Sequence, residues 1–517
     1  MLQGFEWNVP ADQKHWIRLK NVLQDLKDIG VDNVWLPPAC KGQGGDQANG
    51  YDIYDLYDVG EFDQKGSKST KWGPKEDLDQ LSNKAQELGI GLYFDAVLNH
   101  KAGADNKEKC KVIEVDQNGR SPIDSFRPPA NCTLIDRTKE IGEPFEIEAW
   151  VGFDFPGRGD TYSSQKYHWY HFSGTDYDAS TERTGIFRIL GDNKHWSRSV
   201  GEEGGNADFL MFADLDYAHD EVGQDVIHWG EWVVNTLKLK GFRFDACQHF
   251  SETFTNGFVD HLEQTFGKNS LFLVGEFWSG NTKEMLKYLD GMHHQFSLYD
   301  APMVYRFSEI SKTEKGDLRK VFDGTLVQAK PESAVTVVMN HDTQPGQTVE
   351  TPIEGFFKPL AYSLILLRQE GYPCVFYGDL YGMKGKNPEP PSCGEKLPHL
   401  VLARKLFAYG DQEDYIDDDP NCYAFVRRGT DDRKFGLACI MSNADPKTRR
   451  MAVGTEHSGE TWTDILGWQP EEVKIDDDGF GDFMCSGTSV SVWVNRDADG
   501  RDKIDNLRFD TDIYAKA

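Results

Sequence analysis

Gly241-Phe-Arg243-Phe-Asp245-Ala-Cys-Gln-His249 is a short apolar run that closes on an acid. The same pattern recurs in Gly91-Leu-Tyr-Phe-Asp95-Ala-Val-Leu-Asn99-His100, in Leu271-Phe-Leu-Val-Gly-Glu276-Phe-Trp278 and in Val335-Thr-Val-Val-Met-Asn340-His341-Asp342. A carboxylate in the middle of a buried strand carries a large desolvation cost, whereas at the open end of a barrel strand substrate can reach it. Four acids displayed in this way point to carboxylate chemistry in one cleft.

Outward from these runs, strand-like and helix-like patterns alternate. Leu19, Val22, Leu23, Leu26 and Ile29 recur at helical spacing, and Gly30 stands where a helix stop belongs. Leu78, Leu81, Ala85 and Leu88 repeat the pattern up to Gly89. With Leu2 to Glu6 as the first, eight strands are expected, the later ones closing at Asp245, Glu276, Asp300, Asp342 and Asp379. That alternation predicts an α/β chain built on a (β/α)8 TIM barrel. The third crossover is far too long for an ordinary loop, so an inserted, irregular β domain is expected after strand 3. Short alternating strands such as Cys422-Tyr-Ala-Phe-Val-Arg427 predict a C-terminal antiparallel β-sandwich. The expected divisions are 1–100 and 207–400 for the barrel, 101–206 for the insertion and 401–517 for the C-terminal domain. The polar tail beyond Arg496 reads as an extra strand or a loose end.

The chain of 517 residues carries a net charge of −29, which repels nucleic acid but does not penalise a neutral polymer. Nine cysteines, with no Cys-x-x-Cys pair, favour buried thiols in a reducing compartment over a disulfide framework. No basic segment leads into an apolar one at the start, and the run Leu360–Leu367 is too short to cross a bilayer. A cytoplasmic monomer with no membrane or nucleic-acid partner is therefore expected. The lone Asn131-Cys-Thr sequon reads as a chance occurrence.

Glycosidic hydrolysis needs one carboxylic acid to protonate the leaving oxygen and one carboxylate on the other face of the sugar, about 5–5.5 Å apart in retaining enzymes. Asp245 and Glu276 end consecutive strands, and adjacent strands run about 4.8 Å apart. Arg243 shares a strand face with Asp245 and is expected to keep it ionised as a nucleophile. Glu276, next to Phe277 and Trp278, is expected to stay protonated as the general acid. Asp342 would add a third carboxylate, His100 and His341 would bond sugar hydroxyls, and Tyr51 and Trp278 would offer flat faces for stacking.

Taken together, these segments resemble the α-amylase family, glycoside hydrolase family 13, especially its liquefying-type bacterial members and their intracellular fungal relatives. Gln3-Gly-Phe-Glu-Trp7, Gly50-Tyr-Asp-Ile-Tyr-Asp-Leu-Tyr-Asp58, Phe155-Pro-Gly-Arg-Gly159 and Asp342-Thr-Gln-Pro-Gly-Gln347 add to the likeness. The resemblance implies endo-acting, retaining hydrolysis of α-1,4-glucans, with Asp245 as nucleophile, Glu276 as acid/base and Asp342 as transition-state stabiliser. It also implies that Tyr51, Asp95, His100, Arg243, Gln248, His249, Trp278 and His341 contact substrate. A structural Ca2+ is implied on Asn99, Asp208, Asp214 and the His249 main-chain carbonyl. Ser173 and Ser197 stand where bacterial members carry further aspartates, so a single Ca2+ is expected. Gln248 replaces a common Lys, which puts contacts on the leaving-group side in question. An exo-acting glucosidase or a transglycosylase would share the carboxylate trio; a non-catalytic glucan-binding protein would tend to have lost it.

Overall fold

A computed structural model describes residues 1–116, 140–201 and 206–517; Asn131 and the ninth cysteine, Cys132, lie outside them. Eight parallel strands close a barrel in the order Leu2–Gln3, Tyr372–Phe376, Ala334–Val337, Ser297–Tyr299, Phe272–Gly275, Gly241–Phe244, Gly91–Ala96 and Asn33–Trp35. All eight expected runs are barrel strands. The helix His15–Asp28 stops before Gly30, whose φ of +96° suits glycine, and Lys75–Leu88 stops at Gly89 in the left-handed region. Gly241 has its own reason: a Cβ there would come within 2.3 Å of the Phe272 carbonyl oxygen on the next strand.

The insertion is more regular than the irregular domain expected. It forms a six-stranded sheet in the order His100–Lys101, Ala213–Leu215, Phe172–Asp178, Arg183–Ile189, Asn106–Val115 and Glu140–Gly152. The two long strands pair antiparallel with Cys110 and Val112 buried against Ile147, Ala149 and Val151, while Lys109, Lys111 and Glu146 face solvent. That period-two alternation drives a sheet, and the density of Gly, Pro and Asp elsewhere in the segment masks it in the sequence.

Beyond the barrel, a six-stranded antiparallel sheet and the pair Lys447–Ala452/Phe480–Cys485 face each other. Ala424, Ile440 and Trp493 of one layer share an apolar cluster with Met451 and Phe483 of the other, so the C-terminal unit is a sandwich. The tail is neither a strand nor loose. It forms the helix Arg501–Asp505 and the turn Ile513–Lys516, which returns to the first helix.

Candidate active site

The barrel ladder continues past the ends of its strands and thereby fixes two acids. The Asp245 amide donates to the Ala96 carbonyl at 3.0 Å, and the Glu276 amide donates to the Phe244 carbonyl at 2.9 Å. Arg243 pairs in register with Asp95 on one neighbouring strand and with Val274 on the other. Its buried guanidinium sits between three carboxylates: Asp95 Oδ1 at 2.7 Å, Asp245 Oδ1 at 2.6 Å and Glu276 Oε2 at 2.5 Å. Ala246, directly after Asp245, has φ +43°, a strained turn for a residue with a Cβ. Its amide donates to Glu276 Oε2 at 3.2 Å.

This corrects the expected division of labour around Arg243. The arginine is not reserved for Asp245, and Glu276 does not sit in an apolar setting: its carboxylate faces the guanidinium and a main-chain amide. Burial pushes Asp245 well above the usual carboxylate range; Arg243 pulls it down, while Glu276 and Asp95 push it up. Burial likewise raises Asp95 to about 6, against the pull of Arg243. Both Asp95 and Asp245 are thus held above the usual carboxylate range despite their contact with the guanidinium.

His341 and Asp342 come from the turn after the seventh barrel strand, where Asn340 Oδ1 accepts the amides of Asp342 and Thr343. His341 Nε2 lies 3.3 Å from Asp342 Oδ2, and its Nδ1 meets the Gln3 side chain at 3.1 Å. Burial lowers His341 to about 3 and His100 to about 4, so both rings are neutral near pH 7. His100 Nε2 donates to the Tyr51 carbonyl at 2.8 Å. The Tyr51 hydroxyl donates to Asp95 Oδ2 at 3.0 Å, and its ring runs nearly parallel to His341 with centroids 5.1 Å apart. Trp278 follows Glu276 half-buried, with its indole N–H unpartnered.

Other expected residues sit in the adjoining turn Cys247–His249. Gln248 is buried with an unpartnered side-chain oxygen, and its main-chain carbonyl accepts from Gly201. The His249 imidazole, expected to contact sugar, donates Nδ1–H to the Ala207 carbonyl at 2.5 Å, which ties one edge of the ring to that loop. Two strand-end acids are purely structural. Asp300 accepts the amides of Met303, Leu326 and Val327, and Asp379 is held by Lys358 and Tyr362.

Residues not singled out as site residues complete the floor. Trp35 Nε1 donates to Asp95 Oδ2 at 2.9 Å, and Arg243 lies over the Trp35 ring. Trp7 is nearly parallel to both Tyr51 and His341, with its amide held by Gln344 Oε1. The signal for both was positional: each is an aromatic at or just beyond the end of a barrel strand.

Beside this floor, the strand Ala213–Leu215 brings Asp214 against His100, and the Leu215 amide donates to the Asn99 carbonyl. Asp214 is pushed well above the usual carboxylate range by burial and by Asp208. The Asn99 side-chain oxygen is buried without a hydrogen-bond partner. Crowded acids next to an orphaned oxygen fit a hard, oxygen-ligated cation. Elsewhere among the described residues, His171, His219 and Glu221 bring ligand atoms within 4.8 Å of one another. There His171 Nδ1 accepts the His168 amide at 2.9 Å, leaving Nε2–H for Glu221 at 2.8 Å. That tautomer makes a hydrogen-bonded pair and leaves the ring no lone pair for a metal.

Comparison with known proteins now adds to this geometry. The α-amylase catalytic-domain model matches residues 17–150 and 206–459, and the α-amylase C-terminal model matches residues 437–494. The chain belongs to the α-amylase family. It is 42% identical over 500 residues to an α-amylase of Bacillus licheniformis, covering 96% of this chain and 93% of that one. It is 39% identical over 505 residues to the cytoplasmic α-amylase of Escherichia coli K12, covering 96% and 98%. In fold, it matches the α-amylase of Geobacillus thermoleovorans complexed with acarbose at TM-score 0.59 and 17% identity, over 95% of this chain and 96% of that one. Among α-amylase family members, then, this chain carries acids at the ends of its third, fourth, fifth and seventh barrel strands, around a single arginine.

Proposed function

We propose that the chain is an endo-acting, retaining hydrolase of α-1,4-glucosidic bonds in starch, glycogen or related α-glucans. The observation that carries this reading is the placement of Asp245 and Glu276 on adjacent strand ends, gripped by two nitrogens of one guanidinium. Carboxyl groups at the ends of adjacent strands, which run about 4.8 Å apart, suit a nucleophile and an acid/base rather than a pair separated by an activated water.

In this mechanism Glu276 protonates the glycosidic oxygen while Asp245 attacks the anomeric carbon. The leaving chain departs with that proton, and the sugar remains as an ester of Asp245. Glu276, now a carboxylate, takes a proton from water, which attacks the ester and releases the sugar with its original configuration. The acid role requires the proton on Glu276 and an ionised Asp245 when substrate is bound. Positive charge developing at the anomeric carbon favours ionised Asp245 and drives that distribution. Asp342, with His341 as a neutral donor, holds the distorted ring, while His100 spends its one N–H on the Tyr51 carbonyl and positions that residue.

The side chains of Asn99, Asp208 and Asp214 and the His249 carbonyl would hold one Ca2+. When bound, it supplies charge neutralisation that pins the inserted sheet to the barrel beside His100. A reducing setting is supported by eight buried cysteines without a disulfide among the described residues. No helix among the described residues is long and apolar enough to cross a membrane.

Digestion of amylose tests the reading. Medium-length oligomers appearing first, as α-anomers by proton NMR, are expected. Glucose alone would mean exo attack, lengthened or cyclic chains would mean transglycosylation, and initial β-anomers would remove the covalent mechanism.

A further inference from the structure

The acidic turn beside the proposed Ca2+ position carries more negative charge than one divalent ion neutralises. Asp208, Asp214 and Asp216 are all buried. The first two belong to the proposed donor set, but Asp216 has a different companion. The Lys194 ammonium donates to Asp216 Oδ2 at 2.6 Å and to the Phe172 carbonyl at 3.1 Å. Both side chains are nearly closed off from solvent, at 6% and 9% exposure. One carboxylate oxygen and one main-chain carbonyl are the donors a hard cation would draw from these elements.

We propose that Lys194 is a built-in cation: it fills the place beside Asp216 and Phe172 that a second metal ion would otherwise take, and so sets the capacity of this junction at one Ca2+. The inference rests on the single-Ca2+ reading above and names the residue that enforces it.

Lys194 offsets one of the three acids by direct contact with Asp216. The neighbouring serines do not alter that. Ser173 Oγ bonds Asp214 Oδ2, and the Ser197 amide donates to Asp208 Oδ2 at 2.8 Å; both add contacts without adding charge. Access is not what limits the site. A crevice of about 520 Å3 reaches Ser173, Ser197, Asp208 and Asp216, with exposed His195 and Arg198 also in its lining. A tethered ammonium differs from a bound ion in one practical respect: dilution and chelators cannot remove it.

The test uses the full chain with Lys194→Met, Lys194→Arg and Asp216→Asn. Ca2+ per chain is measured by elemental analysis after equilibrium dialysis, and thermal unfolding is followed across a CaCl2 series. Wild type and Lys194→Arg are expected to hold one Ca2+. Lys194→Met is expected to hold two, and its Tm should keep rising with Ca2+ where that of wild type has levelled off. Asp216→Asn should keep one Ca2+ with unchanged affinity, and this variant decides the matter if Lys194→Met does not fold. One Ca2+ in Lys194→Met with a wild-type Tm profile, or loss of the ion in Asp216→Asn, overturns the inference alone. A wild type holding none removes the Ca2+ reading and the inference together.

Discussion

Arg243 and Glu276, 33 residues apart in the chain, touch at 2.5 Å. The arginine that lies two residues before the proposed nucleophile therefore also restrains the proposed acid. This contact turns two separate carboxylates into one electrostatic unit, and the first two predictions come from it.

Asp245→Asn should abolish turnover on every glucan while oligosaccharide binding persists, because an amide keeps the shape and loses the nucleophile. Glu276→Gln should cost about 10²–10⁴ in rate on amylose, and much less on an aryl maltooligoside whose leaving group needs no proton. Steady-state rates on the two substrates check the division of roles. Equal losses for Glu276→Gln on both would reverse or void it.

Arg243→Met should leave three buried carboxylates without their shared cation. Breaking a buried charge cluster by removing one partner costs about 3–5 kcal/mol, to be read from the urea midpoint. Carboxylates with raised pKa bind protons in the folded state that the unfolded chain has released, so stability falls as pH rises past the unfolded value. The deficit of the variant should therefore widen between pH 4 and pH 7. A constant deficit would show that Arg243 acts through packing alone.

His15 gives a pH effect away from the cleft. Its Nε2 donates to the Gly4 carbonyl at 2.8 Å, and burial lowers its pKa to about 3. Above the ordinary histidine value, both folded and unfolded chains carry it neutral. Below that value only the unfolded chain gains the proton, so stability is lost as pH falls, at about 1.4 kcal/mol per unit for one group. His15→Gln should flatten the pH dependence of unfolding by that slope between pH 4 and pH 6. An unchanged slope would mean that the ring is charged in the fold.

Chelation should lower Tm, and Ca2+ should restore it while Mg2+ at equal concentration should not. The smaller ion demands a tighter octahedral shell and gives up its water reluctantly. Recovery with Mg2+ would point to general charge screening instead of a shaped site.

The barrel was legible because each of its strands is a local event: an apolar run a few residues long, closed by an acid or by proline. Asp95, Asp245, Glu276 and Asp342 could be read as a group for the same reason. What depends on closure could not be read. The meeting of Arg243 with Glu276 follows from the register between two strands, and the near-parallel trio of Trp7, Tyr51 and His341 joins segments from three corners of the sequence. The regular inserted sheet was hidden because its alternation is confined to the paired stretches around Cys110 and Ile147. Asp300 and Asp379 look like the reactive acids in sequence, and only their hydrogen-bond partners set them apart.

The turn Ile513–Lys516 lies against the helix His15–Asp28. Asn21 Nδ2 donates to the Lys516 carbonyl at 2.5 Å, and Arg18 lies 4.9 Å from the centre of the Tyr514 ring. Ile513 is fully enclosed. The helix His15–Asp28 thus waits for residues 495 positions further along the chain before its outer side is covered. A nascent chain halted near residue 500 would present that helix to chaperones and proteases, so protease resistance should arrive only once the turn Ile513–Lys516 has docked.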